Sequence, residues 1–320
     1  MDAAGALTVH ADLLRAGAAR LRAAGVGTPR LDAEVLLAHV LGTNRAGLYA
    51  RLHAASSDDV AARLAAAIDR RARREPVAYI TGVQEFWSLP FAVSPAVLIP
   101  RPETELLVEI VCRLSREGAE VRRCGGESAC GPRDRQHLRT SARPHLRTTI
   151  SSICDVGTGS GCIAVALARE LATARVVATD VSLGALAVGA RNAARHGVAE
   201  RVAFIGGDLF DALDPDLLFD VIVSNPPYLS SADCRAPELD FEPPTALAGG
   251  ADGLAHIRRL IESAPARLRP GGWLVMELGS GQDAAVRRLA SAAGLAQVDV
   301  EPDLAGIPRA LVTRRTGRSG

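Results

Sequence analysis

Between Ile153 and Asp180 the chain alternates strand, glycine-rich turn, helix and strand, an order that commits it to a sheet built from βαβ units. Ile153-Cys154-Asp155-Val156 is a short buried strand. The turn Asp155-Val156-Gly157-Thr158-Gly159-Ser160-Gly161 follows, and Ile163, Leu167 and Leu171 then recur at helical spacing. Arg175-Val176-Val177-Ala178-Thr179-Asp180 completes the unit as a second strand. Val202 to Ile205, Phe219 to Ser224, and Trp273 to Leu278 after the turn Pro270-Gly271-Gly272 read as further strands. Gln297 to Val300 and Arg309 to Thr313 would close the sheet. The expected fold is a doubly wound α/β domain, whose ligands sit at the carboxyl ends of the strands near the topological switch. Gly161, Asp180, Asp208 and Asn225 all fall at such ends.

The turn also narrows the ligand. Glycines before a helix N-terminus let a ligand approach the backbone, and Asp180 lies at the spacing of about twenty residues from which a carboxylate reaches ribose hydroxyls. The pattern is G-x-G-x-G with Cys162 next, which departs from the G-x-G-x-x-G fingerprint for a pyrophosphate. An adenosine without a diphosphate fits better, and S-adenosylmethionine is such a ligand. The other reading is a tight turn that binds nothing; Asp180 and a downstream tetrapeptide argue against it.

That tetrapeptide is Asn225-Pro226-Pro227-Tyr228, closing the apolar run Phe219 to Ser224. A residue before proline is pushed out of the helical region, and two successive prolines fix φ and remove N–H donors. The result is a stiff turn rich in acceptors. The Asn225 side-chain oxygen and the Pro226 carbonyl can both accept from one NH2 group, with the Tyr228 ring on its flat face. Amides and exocyclic base amines have that shape. Their nitrogen is a poor nucleophile, so holding both N–H bonds and aiming the lone pair supplies orientation and electrostatic help. Methyl transfer to a planar nitrogen is the chemistry this suggests, by direct in-line displacement and without a strong general base.

Composition removes whole classes of function. All 37 basic residues are arginine, so there is no phosphate-loop lysine and no lysine for a pyridoxal Schiff base. A formal net charge of +1 gives no global drive toward nucleic acid or membrane, and 320 residues allow two domains. The start Met1-Asp2-Ala3-Ala4 has no positive leader region, and no apolar run reaches the eighteen or so residues needed to span a bilayer. A cytoplasmic protein is expected. Its six cysteines then read as free thiols, with Cys154 and Cys162 as small core residues.

The front of the chain is helical. Leu13, Leu14, Ala18 and Leu21 share one face; Thr28-Pro29 opens a second helix carrying Leu31, Val35 and Leu36 and ending by Gly42. A third opens at Ser57-Asp58-Asp59, turns Val60, Leu64 and Ile68 inward, and finishes in Arg70, Arg71, Arg73 and Arg74. Those arginines read as a solvated face complementing the helix dipole, with a nucleic-acid contact as the alternative. From Tyr79 to Pro100 the aromatic and proline-punctuated sequence reads as a hairpin-like linker.

Several ordered segments resemble one family. Thr81-Gly82-Val83-Gln84-Glu85-Phe86-Trp87, Ile99-Pro100-Arg101-Pro102-Glu103-Thr104-Glu105, the glycine turn, Asn225 to Tyr228 and Phe241-Glu242-Pro243 resemble the HemK/PrmC family of release-factor glutamine N5-methyltransferases. The resemblance implies a class I (Rossmann-like) S-adenosylmethionine-dependent methyltransferase sheet with an N-terminal helical-bundle domain. It also implies the substrate: the glutamine of the Gly-Gly-Gln loop of class 1 peptide chain release factors, held by Asn225, Pro226, Pro227 and Tyr228. Carried over by position, the cofactor contacts are Gly157, Thr158, Gly159, Ser160, Gly161, Asp180, the segment Gly207-Asp208-Leu209, and Asn225. Asp208 reads either as an acceptor for the adenine amine or as a helix N-cap before Phe210. Some relatives carry an aromatic residue at Leu209, so adenine packing here is expected to be aliphatic.

The implied organisation is residues 1–78 as the helical part that grips the release factor, 79–100 as linker, and 101–320 as the methyltransferase domain. The family pattern is interrupted at about 116–149 by a stretch rich in Arg, Ser, Gly and Pro, read as a disordered surface loop. Its Cys124, Cys130, His137 and His145 match no common zinc spacing. Glu242 reads as positioning the loop after Tyr228 rather than as a base, because an amide needs none before methyl transfer. A similar group that methylates a ribosomal-protein glutamine usually carries Arg-Ser-Pro where this chain has Arg101-Pro102-Glu103-Thr104, and exocyclic-amine nucleic-acid methyltransferases share the Asn-Pro-Pro-Tyr turn. Proximity to the ribosome is compatible with the reading; a membrane or a stable nucleic-acid partner is not expected.

Overall fold

The computed structural model describes residues 8–124, 150–230 and 237–316. The chain forms two compact units, one comprising Met1–Val83, Val93–Pro95 and Ala236–Phe241, the other Gln84–Ala92, Ala96–Arg235 and Glu242–Gly320.

The first unit holds helices α1 (His10–Ala23), α2 (Pro29–Val40), α3 (Arg45–Tyr49), α4 (Asp58–Ala72) and α5 (Val77–Thr81). Leu14, Leu21, Leu36, Leu37, Leu48 and Leu64 fill its core. The start signals act as expected at α4, where the Ser57 hydroxyl accepts from the Val60 N–H, and Pro29 opens α2. The five-residue helices α3 and α5 are too short to show periodicity, and α5 shortens the expected linker: Tyr79 to Thr81 are helical. Buried Glu34 on α2 ties α3 in place, accepting from Arg30, Arg45 and the Tyr49 hydroxyl at 2.6 to 2.7 Å. Burial works against its ionisation, yet the hydrogen bonds from Tyr49, Arg30 and Arg45 outweigh it and hold the carboxyl down at about 2.

The arginine run at the end of α4 differs from the expected solvated face. Arg71 is buried and donates to Asp32 at 2.7 Å; Arg70 pairs with Glu75, and Arg74 donates to the Gly25 carbonyl and pairs with Glu238. Three of the four guanidinium groups therefore tie the unit together, and only Arg73 is exposed.

After α5 comes a hairpin of β1 (Val83–Phe86) and β2 (Leu89–Ala92), narrower than the expected 79–100. Then follow α6 (Glu105–Cys124), β3 (Ser152–Val156), α7 (Cys162–Glu170), β4 (Arg175–Asp180), α8 (Leu183–Arg195), β5 (Val202–Gly206) and β6 (Phe219–Ser224). The chain continues through α9 (Pro244–Leu247), α10 (Ala255–Arg267), β7 (Leu268–Glu277), α11 (Asp283–Ala292), β8 (Leu295–Pro302) and β9 (Pro308–Arg315). Helix α6 corrects the expected loop from Arg116: residues 116–124 extend the helix, since strong helix formers continue a nucleated helix without apolar periodicity. The rest of the expected insertion, with Cys130, His137 and His145, lies outside the described residues.

The seven strands β3 to β9 form one sheet in the order β5-β4-β3-β6-β7-β9-β8. The first five are mutually parallel, and β9 and β8 complete the edge antiparallel. All six residues of β6 are buried, which accounts for its continuous apolar run. The order runs outward from β3 through β4 to β5, then returns to β6 on the other side of β3, so the crevice at the carboxyl ends of β3 and β6 is the topological switch. Among the described residues no helix is long and apolar enough to cross a membrane.

Close backbone approach seats the glycine turn. Gly161, at φ 77°, lies where a Cβ would stand 3.0 Å from the Gly189 Cα on α8, and a Cβ on Gly189 would stand 2.5 Å from the Phe204 ring. Asn192, one turn further along α8, donates to the Ser160 and Ala92 carbonyls and accepts from the Ala92 N–H. Gly189→Ala should therefore push α8 off β5 and lower stability by roughly 1–3 kcal/mol. Denaturant unfolding checks this, and an unchanged midpoint would show that the ring moves aside freely.

Candidate active site

The carboxyl ends of β3, β4, β5 and β6 surround a cleft that opens to solvent. Gly157, Gly159, Asp180, Asp208, Leu209 and Asn225 line it together with Pro226 and Pro227. Eight of the expected site residues are thus brought to one cavity.

Gly157 and Gly159 have φ of 71° and 54°, and a Cβ at either would meet nothing within 4 Å. Their open sides are what a ligand pressed against the backbone requires. Thr158, Ser160 and Gly161, expected as cofactor contacts, do not line the cleft. Thr158 turns inward and donates to Asp155 at 2.6 Å, Ser160 is buried, and Gly161 packs on α8. Two residues of the motif thus face the cleft and three hold the turn.

Asp180 accepts from the Gly159 N–H at 2.9 Å on one oxygen and from the Ser182 N–H at 2.8 Å on the other. A carboxylate offers about four lone-pair positions, so two remain for a vicinal diol. Asp155, one strand inward, is fully buried, with one oxygen accepting from Thr158 and the Ala164 N–H and the other without a partner among the described residues. Burial raises its carboxyl to about 7, against the pull of those two hydrogen bonds.

Asp208 and Leu209 reach the cleft from the segment after β5. No helix begins there: the Asp208 carbonyl closes a turn with the Asp211 N–H, and its carboxylate pairs with Arg259 of α10 at 2.8 Å. This excludes the N-cap reading, because the side chain is drawn toward the guanidinium instead of the backbone. Leu209, at φ 51°, presents an aliphatic wall.

The Asn225 to Tyr228 turn rests on residues that the sequence did not single out. Asn225 Nδ2 donates to Thr104 Oγ1 at 3.0 Å, Thr104 donates to Glu277 Oε2 at 2.7 Å, and the Tyr228 hydroxyl donates to Glu277 Oε1 at 3.1 Å. Burial raises the Glu277 carboxyl, and its hydrogen bonds from Thr104 and Tyr228 oppose the rise. Burial and the Glu277 carboxylate together push the Tyr228 phenol up, so Tyr228 stays a neutral donor. On the other side Gln282 Nε2 donates to the Tyr228 carbonyl at 3.1 Å. Gly253 fits beneath, at φ 72°, where a Cβ would stand 2.4 Å from that oxygen. Buried Glu242 accepts from the Ile99 N–H at 3.1 Å and from Arg101, which ties the loop after Tyr228 to the segment before α6. Cys112, Cys154 and Cys162 are buried free thiols raised by burial, Cys162 to about 12, and none lines the cleft.

Asp155 makes stability depend on pH with a definite sign. Its carboxyl is raised on folding from 3.8 to about 7, so the stability tied to its proton is complete below about pH 4 and is lost as pH climbs toward 7. Asp155→Asn keeps the acceptor for Thr158 and Ala164 and has no proton to lose. The stability of this variant relative to the parent should therefore increase by on the order of 2 kcal/mol between pH 5 and pH 8. Urea unfolding across that range checks it, and a constant difference would contradict the assignment.

Comparison with known proteins identifies the family. Residues 12–82 match the PrmC N-terminal domain, and residues 143–236 match the Methyltransferase small domain. The release factor glutamine methyltransferase of Geobacter sulfurreducens is 41% identical over 89% of this chain and 89% of its own length. Its counterpart from Xylella fastidiosa strain 9a5c is 42% identical over 93% of this chain and 98% of its own. Among solved structures, a methyltransferase from Pyrococcus furiosus aligns at 17% identity and TM-score 0.50 over 78% of this chain and 99% of its own. The hMettl16 catalytic domain in complex with a MAT2A 3′UTR hairpin aligns at 17% identity and TM-score 0.54, over 78% and 83%. These two share the fold. Identity above 40% along nearly the whole chain goes further, and on that ground the chain belongs to the release factor glutamine methyltransferase family.

Proposed function

We propose that this chain transfers a methyl group from S-adenosylmethionine to the side-chain amide nitrogen of the glutamine in the Gly-Gly-Gln loop of class 1 peptide chain release factors. The observation that carries the reading is the Asn225 amide, whose Nδ2 is engaged by Thr104 while Oδ1 remains as an acceptor beside Pro226 at the cleft.

The cleft suits the cofactor. Asp180 has lone pairs for two ribose hydroxyls, the open faces of Gly157 and Gly159 admit a ligand against the backbone, and Leu209 offers an apolar wall for a base. S-adenosylmethionine, when bound, supplies an electrophilic sulfonium methyl and departs as S-adenosylhomocysteine. The protein's task is alignment. Asn225 Oδ1 and the Pro226 carbonyl take the two N–H bonds of the glutamine amide, fixing its plane and turning its lone pair toward the cleft. As the N–C bond forms the nitrogen becomes positive, and the same two oxygens stabilise it more strongly than they did the neutral amide. The surplus proton then leaves to water. Glu242 serves as a brace, since both Ile99 and Arg101 already hold its carboxylate.

The helical unit, with the matched PrmC N-terminal domain, is the part proposed to grip the release factor. The reaction is proposed to take place in the cytoplasm, on a substrate free or near the ribosome. No stable nucleic-acid partner is invoked, in keeping with the internal pairing of Arg70, Arg71 and Arg74.

Transfer of labelled methyl to purified release factor tests the reading, with a Gln→Ala change in its Gly-Gly-Gln loop and total RNA as parallel substrates. Label that vanishes with the Gln→Ala change supports it; label on RNA alone overturns it in favour of a nucleic-acid amine. Asn225→Ala should lower turnover by roughly 10²–10³-fold while changing cofactor affinity only a few-fold. Equal loss of both would show that Asn225 acts mainly through the cofactor.

A further inference from the structure

The side-chain amide of Asn225 is an acceptor at one end and a donor at the other, and the two ends are nearly alike in shape. If the donor end met the substrate, the site would repel an NH2 group instead of holding it. Something in the fold has to decide which end faces the cleft.

Two buried residues make that decision. Thr104 lies in the short turn before α6 and Glu277 ends β7; they are 2% and 1% exposed. The Thr104 hydroxyl stands 2.7 Å from Glu277 Oε2 and 3.0 Å from Asn225 Nδ2. The Thr104 hydroxyl donates its single proton to Glu277 Oε2 and so offers Asn225 only a lone pair. The atom of Asn225 that meets Thr104 is therefore the NH2 end, and Oδ1 is left for the substrate. The Tyr228 hydroxyl occupies the other oxygen of Glu277, which keeps the carboxylate from turning. Among the described residues none donates to Asn225 Oδ1.

We propose that Thr104 and Glu277 are positioning residues that set the polarity of the Asn225 amide and so make the site specific for a planar NH2 group. Neither touches the substrate; Thr104 acts through Asn225, and Glu277 acts through Thr104. The inference rests on the proposed reading that Asn225 Oδ1 accepts from the substrate amide.

Four forms of the full chain separate hydroxyl from bulk at this position: the parent, Thr104→Ser, Thr104→Val and Thr104→Ala. Serine keeps the hydroxyl and loses the methyl, valine keeps the bulk and loses the hydroxyl, and alanine loses both. With release factor as substrate, kcat/KM should sort by the hydroxyl: serine within about threefold of the parent, valine and alanine lower by at least about tenfold. Affinity for S-adenosylmethionine, measured by calorimetry, should stay within about twofold in every folded form, because Thr104 does not line the cleft. Should valine fail to fold, the serine and alanine pair still decides. Activity that follows volume, or four equal activities, would overturn the inference while leaving the proposed function intact. Absence of glutamine methylation by the parent would overturn the proposed function itself and the inference with it.

Discussion

The parallel pairing of β6 with β7 is the constraint on which the site depends. In that register Ser224 lies opposite Met276, so the residues that follow, Asn225 and Glu277, come side by side at the carboxyl edge of the sheet. On the other flank β6 pairs with β3, and the Ser224 hydroxyl donates to the Val156 carbonyl at 2.7 Å, just before the glycine turn. One strand therefore holds the substrate turn in fixed relation to the cofactor side of the cleft and to its own brace. A shift of one residue in the pairing with β7 would move Asn225 out of register with Glu277, and one in the pairing with β3 would break the Ser224–Val156 hydrogen bond.

The site contains little reactive chemistry. The described thiols are buried, Glu242 is held by two donors, and the cleft presents backbone, the held carboxylates of Asp180 and Asp208, the oriented amide of Asn225, and the side chains of Thr245 and His256. That economy fits a reaction whose electrophile arrives with the cofactor and whose nucleophile is weak through delocalisation rather than protonation. What the protein can add is geometry and prearranged charge, which require rigid neighbours. The two prolines, the Gln282 clamp, the glycine beneath Tyr228 and the Thr104–Glu277 pair all supply rigidity to the same four residues.

Much of this was legible in the sequence because the informative residues report on backbone. Alternating glycines, a terminal acid on β4 and consecutive prolines each restrict the chain locally, and their order along it places them at neighbouring strand ends. What was not legible depends on partners far apart in sequence. Thr104 and Glu277 are 173 residues apart, and nothing local distinguishes either, although an acid closing the apolar run Trp273 to Met276 is the same signal that identified Asp180. The arginines at the end of α4 read as a solvated face because Asp32 and Glu238, which pair with Arg71 and Arg74, are distant in sequence. A glycine motif does not show which of its residues turn inward, as Thr158 and Ser160 do. Helices α3 and α5 span too few residues for periodicity to register.

The most direct measurement is a crystal structure of the enzyme with S-adenosylhomocysteine and the Gly-Gly-Gln-bearing domain of a release factor. The account predicts the glutamine Nε2 at hydrogen-bond distance, about 3 Å, from both Asn225 Oδ1 and the Pro226 carbonyl, with the Asn225 Nδ2 still on Thr104 and the amide plane turned toward the sulfur. A glutamine held by other groups, or an Asn225 amide reversed so that Nδ2 meets the substrate, would contradict it.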